Sequence, residues 1–242
     1  MSDYTIIHKG EIFLKNLGSF FSIDPKSQDK IDDFWIKKLD DNPKLFDGKA
    51  LCLVNFYQQD SSGIAEVSFV NYRNIIASRE IPELDLKFDQ VGVSGIMIFK
   101  ENNTEEILFS KRSSDITEYP KYFELVPSGN LDESVLQSNQ MIDFKKKIIQ
   151  EYCEETKLSS KTIKNIETLG FVKDNINKVY DICCLIEIQS TREEIFSAFE
   201  NSDEYDEPVL ISKNDLKSFV NSNQNHLVPT SKALIECFLN RF

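Results

Sequence analysis

Residues 148–158 read Ile-Ile-Gln-Glu-Tyr-Cys-Glu-Glu-Thr-Lys-Leu. The spacing of the apolar residues predicts a helix, and its glutamates, Glu151, Glu154 and Glu155, stand three and four positions apart. Side chains so spaced are neighbours on a helix surface, where like charges cost about 0.2–0.5 kcal/mol per pair. A divalent cation would offset that cost, because Mg²⁺ and Ca²⁺ prefer carboxylate oxygens. The stretch therefore indicates metal-assisted chemistry on a phosphate.

The position of these glutamates on the helix favours a site at the edge of the core. On a helical wheel, at about 100° per residue, the apolar arc contains Met141, Phe144, Ile148, Ile149 and Tyr152. Glu151 and Glu155 border that arc, whereas solvated charges usually lie opposite the core. The alternative is an ordinary Glu/Lys surface, because four lysines are near: Lys145, Lys146, Lys147 and Lys157.

The segments around this helix predict a mixed sheet flanked by helices. Strands are predicted over 91–99, 107–111, 122–126, 179–188 and 209–211, and a turn at Pro127-Ser128-Gly129. Helices are predicted over about 140–157, 192–199 and 231–242. This order of strands and helices is typical of an α/β or α+β sandwich.

The first 87 residues predict a smaller, strand-rich segment. Ser27 is expected to cap a helix that carries Ile31, Phe34, Trp35 and Leu39. Two strands over 50–57 and 64–70 follow, joined around Ser61-Ser62-Gly63. Because a polar stretch lies at 84–87, we expect two domains, over 1–87 and 88–242.

The charge balance restricts the kinds of partner. The chain has 242 residues and a formal net charge of −12. Nucleic acids and anionic membranes need basic surfaces, so we expect neither as a partner. A phosphorylated substrate would also be repelled unless a cation or a local basic pocket receives it.

Cysteine and histidine usage restricts the chemistry and the compartment. The five cysteines form no CxxC pair, which argues against a zinc site or a disulfide framework and predicts reduced thiols in the cytoplasm. His8 and His226 are far apart, so a zinc centre or a Ser-His-Asp triad has little support. No apolar run approaches the roughly 20 residues of a membrane span, and the first residues lack the layout of a signal peptide.

The turn and the glutamate helix together resemble the Nudix motif, G-x5-E-x7-R-E-U-x-E-E-x-G-U. Pro127-Ser128-Gly129 and the helix stretch 150–158 carry the resemblance, which covers roughly residues 88–242. It implies a Nudix-type α-β-α sandwich with a mixed sheet.

Three departures from the motif also resemble one branch of the family. Gln150 stands where the motif has Arg, and Lys157 where it has Gly. The interval from Gly129 to Glu151 is about seven residues longer than the motif allows, and Glu133 is a poor counterpart of its first Glu. A Gln-Glu-x-Cys-acid-Glu core after a long loop is similar to the pyrophosphatases of UDP-glucose and UDP-galactose.

The resemblance implies Mg²⁺-dependent hydrolysis of a nucleoside diphosphate sugar to UMP and a sugar 1-phosphate, with Mn²⁺ as the alternative ion. Glu151, Glu154 and Glu155 are then the metal ligands, Gly129 gives a backbone carbonyl, and Glu151 and Glu155 are also catalytic. Two alternatives stay open. One is a catalytically idle Nudix-fold module that binds a nucleotide or a protein, and the other is a pyrophosphatase for ADP-ribose, NADH or a dinucleoside polyphosphate.

Residues outside the helix complete the predicted site. The general base is expected to be a motif glutamate or an acid from a later loop. In that loop Glu207 is the choice, with Glu204 and Asp206 as the other candidates, and a solvated loop is the alternative. Arg112 and Arg79 could neutralise a diphosphate, and Tyr122 and Phe123 could stack on a uracil ring. The alternatives are surface arginines and core aromatics.

Overall fold

The computed structural model of the chain describes residues 2–101, 104–116, 118–199 and 205–241. In chain order the strands are β1 (Tyr4–Lys9), β2 (Ile12–Asn16), β3 (Lys49–Gln59), β4 (Ser62–Asn71), β5 (Val91–Glu101), β6 (Thr104–Arg112), β7 (Phe123–Leu125), β8 (Ser128–Asn130), β9 (Ile163–Asp174), β10 (Tyr180–Ile188) and β11 (Tyr205–Ser212). The α-helices are α1 (Pro25–Asp41), α2 (Tyr72–Glu80), α3 (Phe144–Thr156), α4 (Arg192–Phe199), α5 (Leu216–Ser222) and α6 (Pro229–Leu239).

A large mixed sheet forms the centre of the molecule. Its strand order is β1-β9-β10-β5-β6-β11, with β7 beside β6 and β8 beside β5. Strands β5 and β10 run parallel, with Val91 opposite Tyr180, and the other neighbours in the sheet are antiparallel. The predicted mixed α/β architecture is confirmed.

Helices cover both faces of this sheet. Ile148 and Tyr152 of α3 are buried in the core on one face, whereas Leu234 and Phe238 of α6 are buried in the core on the other. Side chains alternate across a strand, and the neighbours Cys183 and Cys184 on β10 accordingly point into different cores. The sheet thus lies between two apolar layers.

A second, smaller sheet has the strand order β2-β4-β3. Its buried residues Leu14, Leu51 and Val67 join the same core as α3. The predicted strands over 50–57 and 64–70 are confirmed within β3 and β4. The division into domains 1–87 and 88–242 stays a prediction, and the structure adds that β1, from the first segment, pairs with β9 in the large sheet.

Capping side chains set helix ends that differ from those predicted. Helix α3 begins at Phe144 rather than near 140, because Gln140 has a φ of 66° and the Asp143 carboxylate accepts the Lys146 N–H at 3.0 Å. In α1 the cap is Asp24, which accepts the N–H of Ser27 at 3.1 Å, so the prediction of Ser27 as the cap is wrong.

The segment after Pro127 also differs from the prediction. Ser128–Asn130 forms the short strand β8 rather than a turn, because it pairs with 92–94 of β5. Helix α6 begins at Pro229 instead of 231, because proline is well suited to the first position of a helix. Within the described ranges, no helix is both long and apolar enough to cross a membrane.

Candidate active site

A cavity of about 440 Å³ lies between α3 and the short strand β8. Residues from β5, β6, β7, β9, β10 and β11 also reach it, so it collects side chains that are distant in sequence. Its charged lining consists of Arg112, Glu118, Glu124, Asp132, Lys147, Glu151, Glu155, Asp174 and Asp181. Acidic groups therefore outnumber basic ones in the cavity.

Glu155 is the most buried of the three helix glutamates, with 4% of its surface exposed. Its two carboxylate oxygens accept the backbone N–H of Ser128 at 3.2 Å each. The Tyr205 hydroxyl lies 3.3 Å from its Oε2. The end of α3 and the start of β8 are thereby fixed to each other at the cavity wall.

Glu151 lies against the glycine of β8. A Cβ atom at Gly129 would come within 2.4 Å of the Glu151 carboxyl, so a larger residue would displace that side chain. One turn earlier on α3, Lys147 contacts Glu151 at 2.8 Å and Asp132 at 3.0 Å. Burial alone would lower the pKa of Lys147, but these two carboxylates outweigh it and raise that pKa.

Glu154 differs from its two neighbours, because it is exposed and is not among the residues that line the cavity. In the described part of the chain, no three His, Cys, Asp or Glu side chains are grouped closely enough to hold a metal ion. The helix glutamates thus divide into two that face the cavity and one that faces solvent.

Glu124 on β7 was not predicted as a site residue. It is 5% exposed and forms an ion pair with Arg112, whose Nε donates to the Glu118 carbonyl at 3.1 Å. Burial would lower the pKa of Arg112, but the charge and hydrogen bond of Glu124, together with Tyr205 and Glu118, outweigh burial and raise that pKa. The sequence signal was a lone acid between Phe123 and Leu125 in a predicted strand.

Two buried aspartates also line the cavity and were not predicted from the sequence. Asp174 accepts the Tyr119 hydroxyl at 2.6 Å, and Asp181 accepts the Ser94 hydroxyl at 3.1 Å. Burial raises the pKa of Asp181 to about 7, with Glu124 and Asp174 adding to the shift and the Ser94 hydrogen bond opposing it. An aspartate inside the apolar strand 180–186 was the available signal.

The other predicted substrate contacts, Arg79, Tyr122 and Phe123, are not among the residues that line the cavity. Arg79 contacts Glu118 at 3.3 Å and Gln90 at 3.1 Å, and it lines a neighbouring cavity of about 420 Å³. Tyr122 is half-buried beside the Tyr119 ring, with centroids 5.4 Å apart. The Phe123 ring packs on Phe219 at 5.3 Å, next to the core below α6.

The acidic loop is described only in part. Glu204 and the side chain of Glu207, the predicted general base, lie outside the described residues. Asp206 is exposed and forms an ion pair with Lys121 at 2.9 Å.

The departures from the motif have structural counterparts. Lys157 takes the left-handed conformation, with φ of 58°, where the motif has glycine. The Oε1 atom of Gln150 is buried and accepts no hydrogen bond within the described residues. Counting eight residues back from Gln150 places the first Glu of the motif at Ile142, which is 5% exposed and belongs to the core.

Comparison with solved structures finds several Nudix proteins. The Nudix domain of Shewanella oneidensis NrtR complexed with ADP-ribose is 15% identical over 69% of this chain and 96% of that chain, with a TM-score of 0.46. A mutT/nudix family protein from Listeria innocua is 18% identical over 64% and 99%, with a TM-score of 0.41. The Ap4A hydrolase of C. elegans is 14% identical over 61% and 94%, with a TM-score of 0.40.

The chain is similar in fold to Nudix proteins. This is the family that the glutamate helix resembles. No protein-family model and no curated protein matches the sequence. The likeness to the UDP-sugar branch stays a prediction.

Proposed function

We propose that this protein is a Nudix-type hydrolase that uses a divalent cation to cleave the pyrophosphate of a nucleoside diphosphate derivative. The observation that carries the proposal is the placement of Glu151 and Glu155. Both line one cavity with β8, where Glu155 accepts the Ser128 N–H and Glu151 lies against Gly129. The absence of a side chain at Gly129 thus leaves room for the carboxyl of Glu151.

The charges of the cavity support a requirement for a cation. Among the described residues, seven carboxyl side chains and two basic side chains line it. Both basic groups are already engaged, Arg112 by Glu124 and Lys147 by Asp132 and Glu151. A diphosphate entering alone would therefore meet net negative charge and be repelled.

The donor set fits a hard cation, because Mg²⁺ and Mn²⁺ bind carboxylate and carbonyl oxygens. Glu151 and Glu155 would hold it, with the Gly129 carbonyl as a further ligand that the motif implies. Glu154, the third glutamate of the motif, faces solvent in this structure. A cation at Glu151 competes with the Lys147 ammonium, which now lies 2.8 Å away. When bound, such a cation polarises a phosphoryl oxygen and lowers the pKa of water.

For the substrate we propose a nucleotide sugar of the UDP-glucose or UDP-galactose kind, cleaved to UMP and a sugar 1-phosphate. Gln150, Cys153 and Lys157 motivate this choice. Arg112 would face the diphosphate, with Arg79 from the neighbouring cavity, and Tyr122 would contact the base. Glu207 would be the general base. The five unpaired cysteines are in keeping with a reducing compartment such as the cytoplasm. That the protein binds no nucleic acid stays a prediction from its charge.

A substrate panel tests the reaction. Purified protein is incubated with UDP-glucose, ADP-ribose, NADH or Ap4A, with Mg²⁺, Mn²⁺ or EDTA, and the products are separated by chromatography. We expect UMP from UDP-glucose only when a cation is present. If ADP-ribose or Ap4A is cleaved faster, the reaction class holds and the UDP-sugar assignment fails.

One variant tests the assignment of Glu155. Glu155→Gln should lower kcat about 100-fold or more, because a cation supplies several kcal/mol of charge stabilisation and each 1.4 kcal/mol is about tenfold. Glu193→Gln, at an exposed position on α4, is the matched control and should leave turnover unchanged. Equal turnover by Glu155→Gln and wild type would remove the glutamate helix from the reaction.

A binding module is the second candidate. The absence of a three-carboxylate group among the described residues favours it, as does the ion pair of Lys147 with Glu151. Calorimetry tests this candidate. Binding of UDP-glucose or ADP-ribose without turnover in any arm of the panel would support a binding module and contradict the proposed hydrolase.

A further inference from the structure

We propose that Glu124, which lies outside the glutamate helix, is a positioning residue that holds the Glu155 carboxylate ready for a divalent cation. The inference rests on the proposed function only in placing a cation at Glu155. It adds a residue from β7 to a site otherwise built from α3 and β8.

Two groups bridge the carboxylates of Glu124 and Glu155. The Tyr205 hydroxyl lies 3.2 Å from the Oε2 of Glu124 and 3.3 Å from the Oε2 of Glu155. Ser128 donates its N–H to Glu155 at 3.2 Å and its hydroxyl to Glu124 at 3.3 Å. The two carboxylates therefore share both of their bridging partners.

The bridge is anchored at the Glu124 end. Arg112 forms an ion pair with Glu124, and its Nε is held by the Glu118 carbonyl. A charged, planar guanidinium fixes a carboxylate in direction as well as in place. Arg112 therefore fixes the direction of the Glu124 carboxylate. Glu124 in turn orients Tyr205 and Ser128, and these two residues orient the carboxylate of Glu155.

Stability alone does not explain this arrangement. Glu124, Glu155 and Tyr205 are each at most 5% exposed. A hydroxyl has a single proton, so Tyr205 can donate to only one of the two carboxylates at a time. Two carboxylates buried together are costly, and well-packed apolar residues are often as stable or more stable in such places. The side chain of Glu124 also faces the cavity, whereas its neighbours Phe123 and Leu125 pack in or beside the opposite core.

The test measures Mn²⁺ binding by the full chain without substrate, using the loss of the free-ion signal in electron paramagnetic resonance. Glu124→Gln should weaken Mn²⁺ affinity about 10- to 100-fold, the range typical for partners of metal ligands. Tyr205→Phe should also weaken Mn²⁺ affinity. Because this variant keeps every charge, its affinity tests the inference if Glu124→Gln does not fold. The control is Glu236→Gln, since Glu236 also accepts a tyrosine hydroxyl, that of Tyr4 at 2.7 Å, but lies outside the cavity.

The outcomes separate this inference from the proposed reaction. Weakened Mn²⁺ binding in both variants, with wild-type binding in the control, supports it even if the panel finds no hydrolysis. Wild-type affinity in the folded variants, an equal loss in Glu236→Gln, or no Mn²⁺ binding by the wild type overturns it.

Discussion

The close approach of Gly129 and Glu151 makes a prediction at the scale of single residues. A methyl group at 129 would come within 2.4 Å of the Glu151 carboxyl, so Gly129→Ala must displace that side chain. We expect turnover and Mn²⁺ affinity to fall at least about tenfold, as for other disturbed metal sites.

Gly48→Ala is the matched control, because its methyl would meet only the ring of Phe46, which is 81% exposed and free to move. If Gly129→Ala retained full turnover, the position of Glu151 beside β8 would have no part in the reaction.

Asp181 predicts a pH effect on stability. Burial raises its pKa to about 7, so the folded chain holds the proton more tightly than the unfolded chain does. Its contribution to stability is therefore present at low pH and is lost as pH rises from about 4 through 7. Asn cannot ionise, so the stability of Asp181→Asn relative to wild type should increase over that window.

Urea unfolding of both proteins at pH 5 and pH 8 measures this difference. Asp206→Asn is the control at an exposed aspartate and should show no such trend. A difference that is constant between the two pH values would contradict a raised pKa at Asp181.

The site residues that could be predicted from the sequence are those that lie within one turn of each other on a single helix. Glu151 and Glu155 are one turn apart on α3, so helical geometry alone makes them neighbours and places them beside the apolar arc. Glu124 and Asp181 enter the same cavity from β7 and β10, which are distant in sequence and are brought to one site only when the sheet forms. Glu154 lies on the same helix, yet its exposure depends on how α3 packs on the sheet.

At the scale of elements, the end of α3 predicts a gain in stability. Lys157 takes a left-handed conformation that costs an ordinary residue roughly 1–2 kcal/mol and glycine little. Part of this gain is offset, because glycine loses more conformational freedom on folding than lysine does. The net effect of Lys157→Gly should be a rise of about 0.5–1 kcal/mol in the free energy of unfolding.

Chemical denaturation measures the change. Lys164→Gly, at an exposed position on β9, is the control and should be destabilising instead. A loss of stability in Lys157→Gly would show that the lysine side chain offsets its backbone strain.

Element types were predictable more often than element ends. The interior strands 91–99 and 179–188 were predicted from apolar runs and are confirmed, because burial on both faces leaves a clear pattern. The start of α3 depends on which of several polar residues caps it, and Asp143 does so. The strand β8 has three residues, too few for any periodicity, and is defined by its pairing with β5.

At the scale of the whole molecule, the proposed boundary at residues 87 and 88 can be tested. Expressing residues 88–242 alone removes β1, so β9 keeps its pairing with β10 but loses its other partner and becomes an open sheet edge. It also removes Leu14, Leu51 and Val67 from the core that α3 shares. We expect this fragment to unfold at lower temperature or to aggregate.

Size-exclusion chromatography and thermal unfolding, with the full chain as the reference, check this expectation. A monomeric fragment that unfolds at the temperature of the full chain would show that 88–242 is an independent domain.

The pairing of β1 with β9 also bears on how the protein is made. Tyr4 lies opposite Asp174, so the first strand waits for about 170 further residues before its partner exists. At roughly 5–20 residues per second, synthesis leaves it alone for about ten to thirty seconds. Distant pairings of this kind slow folding. The edge of the large sheet formed by β1 can therefore be completed only after β9 has emerged.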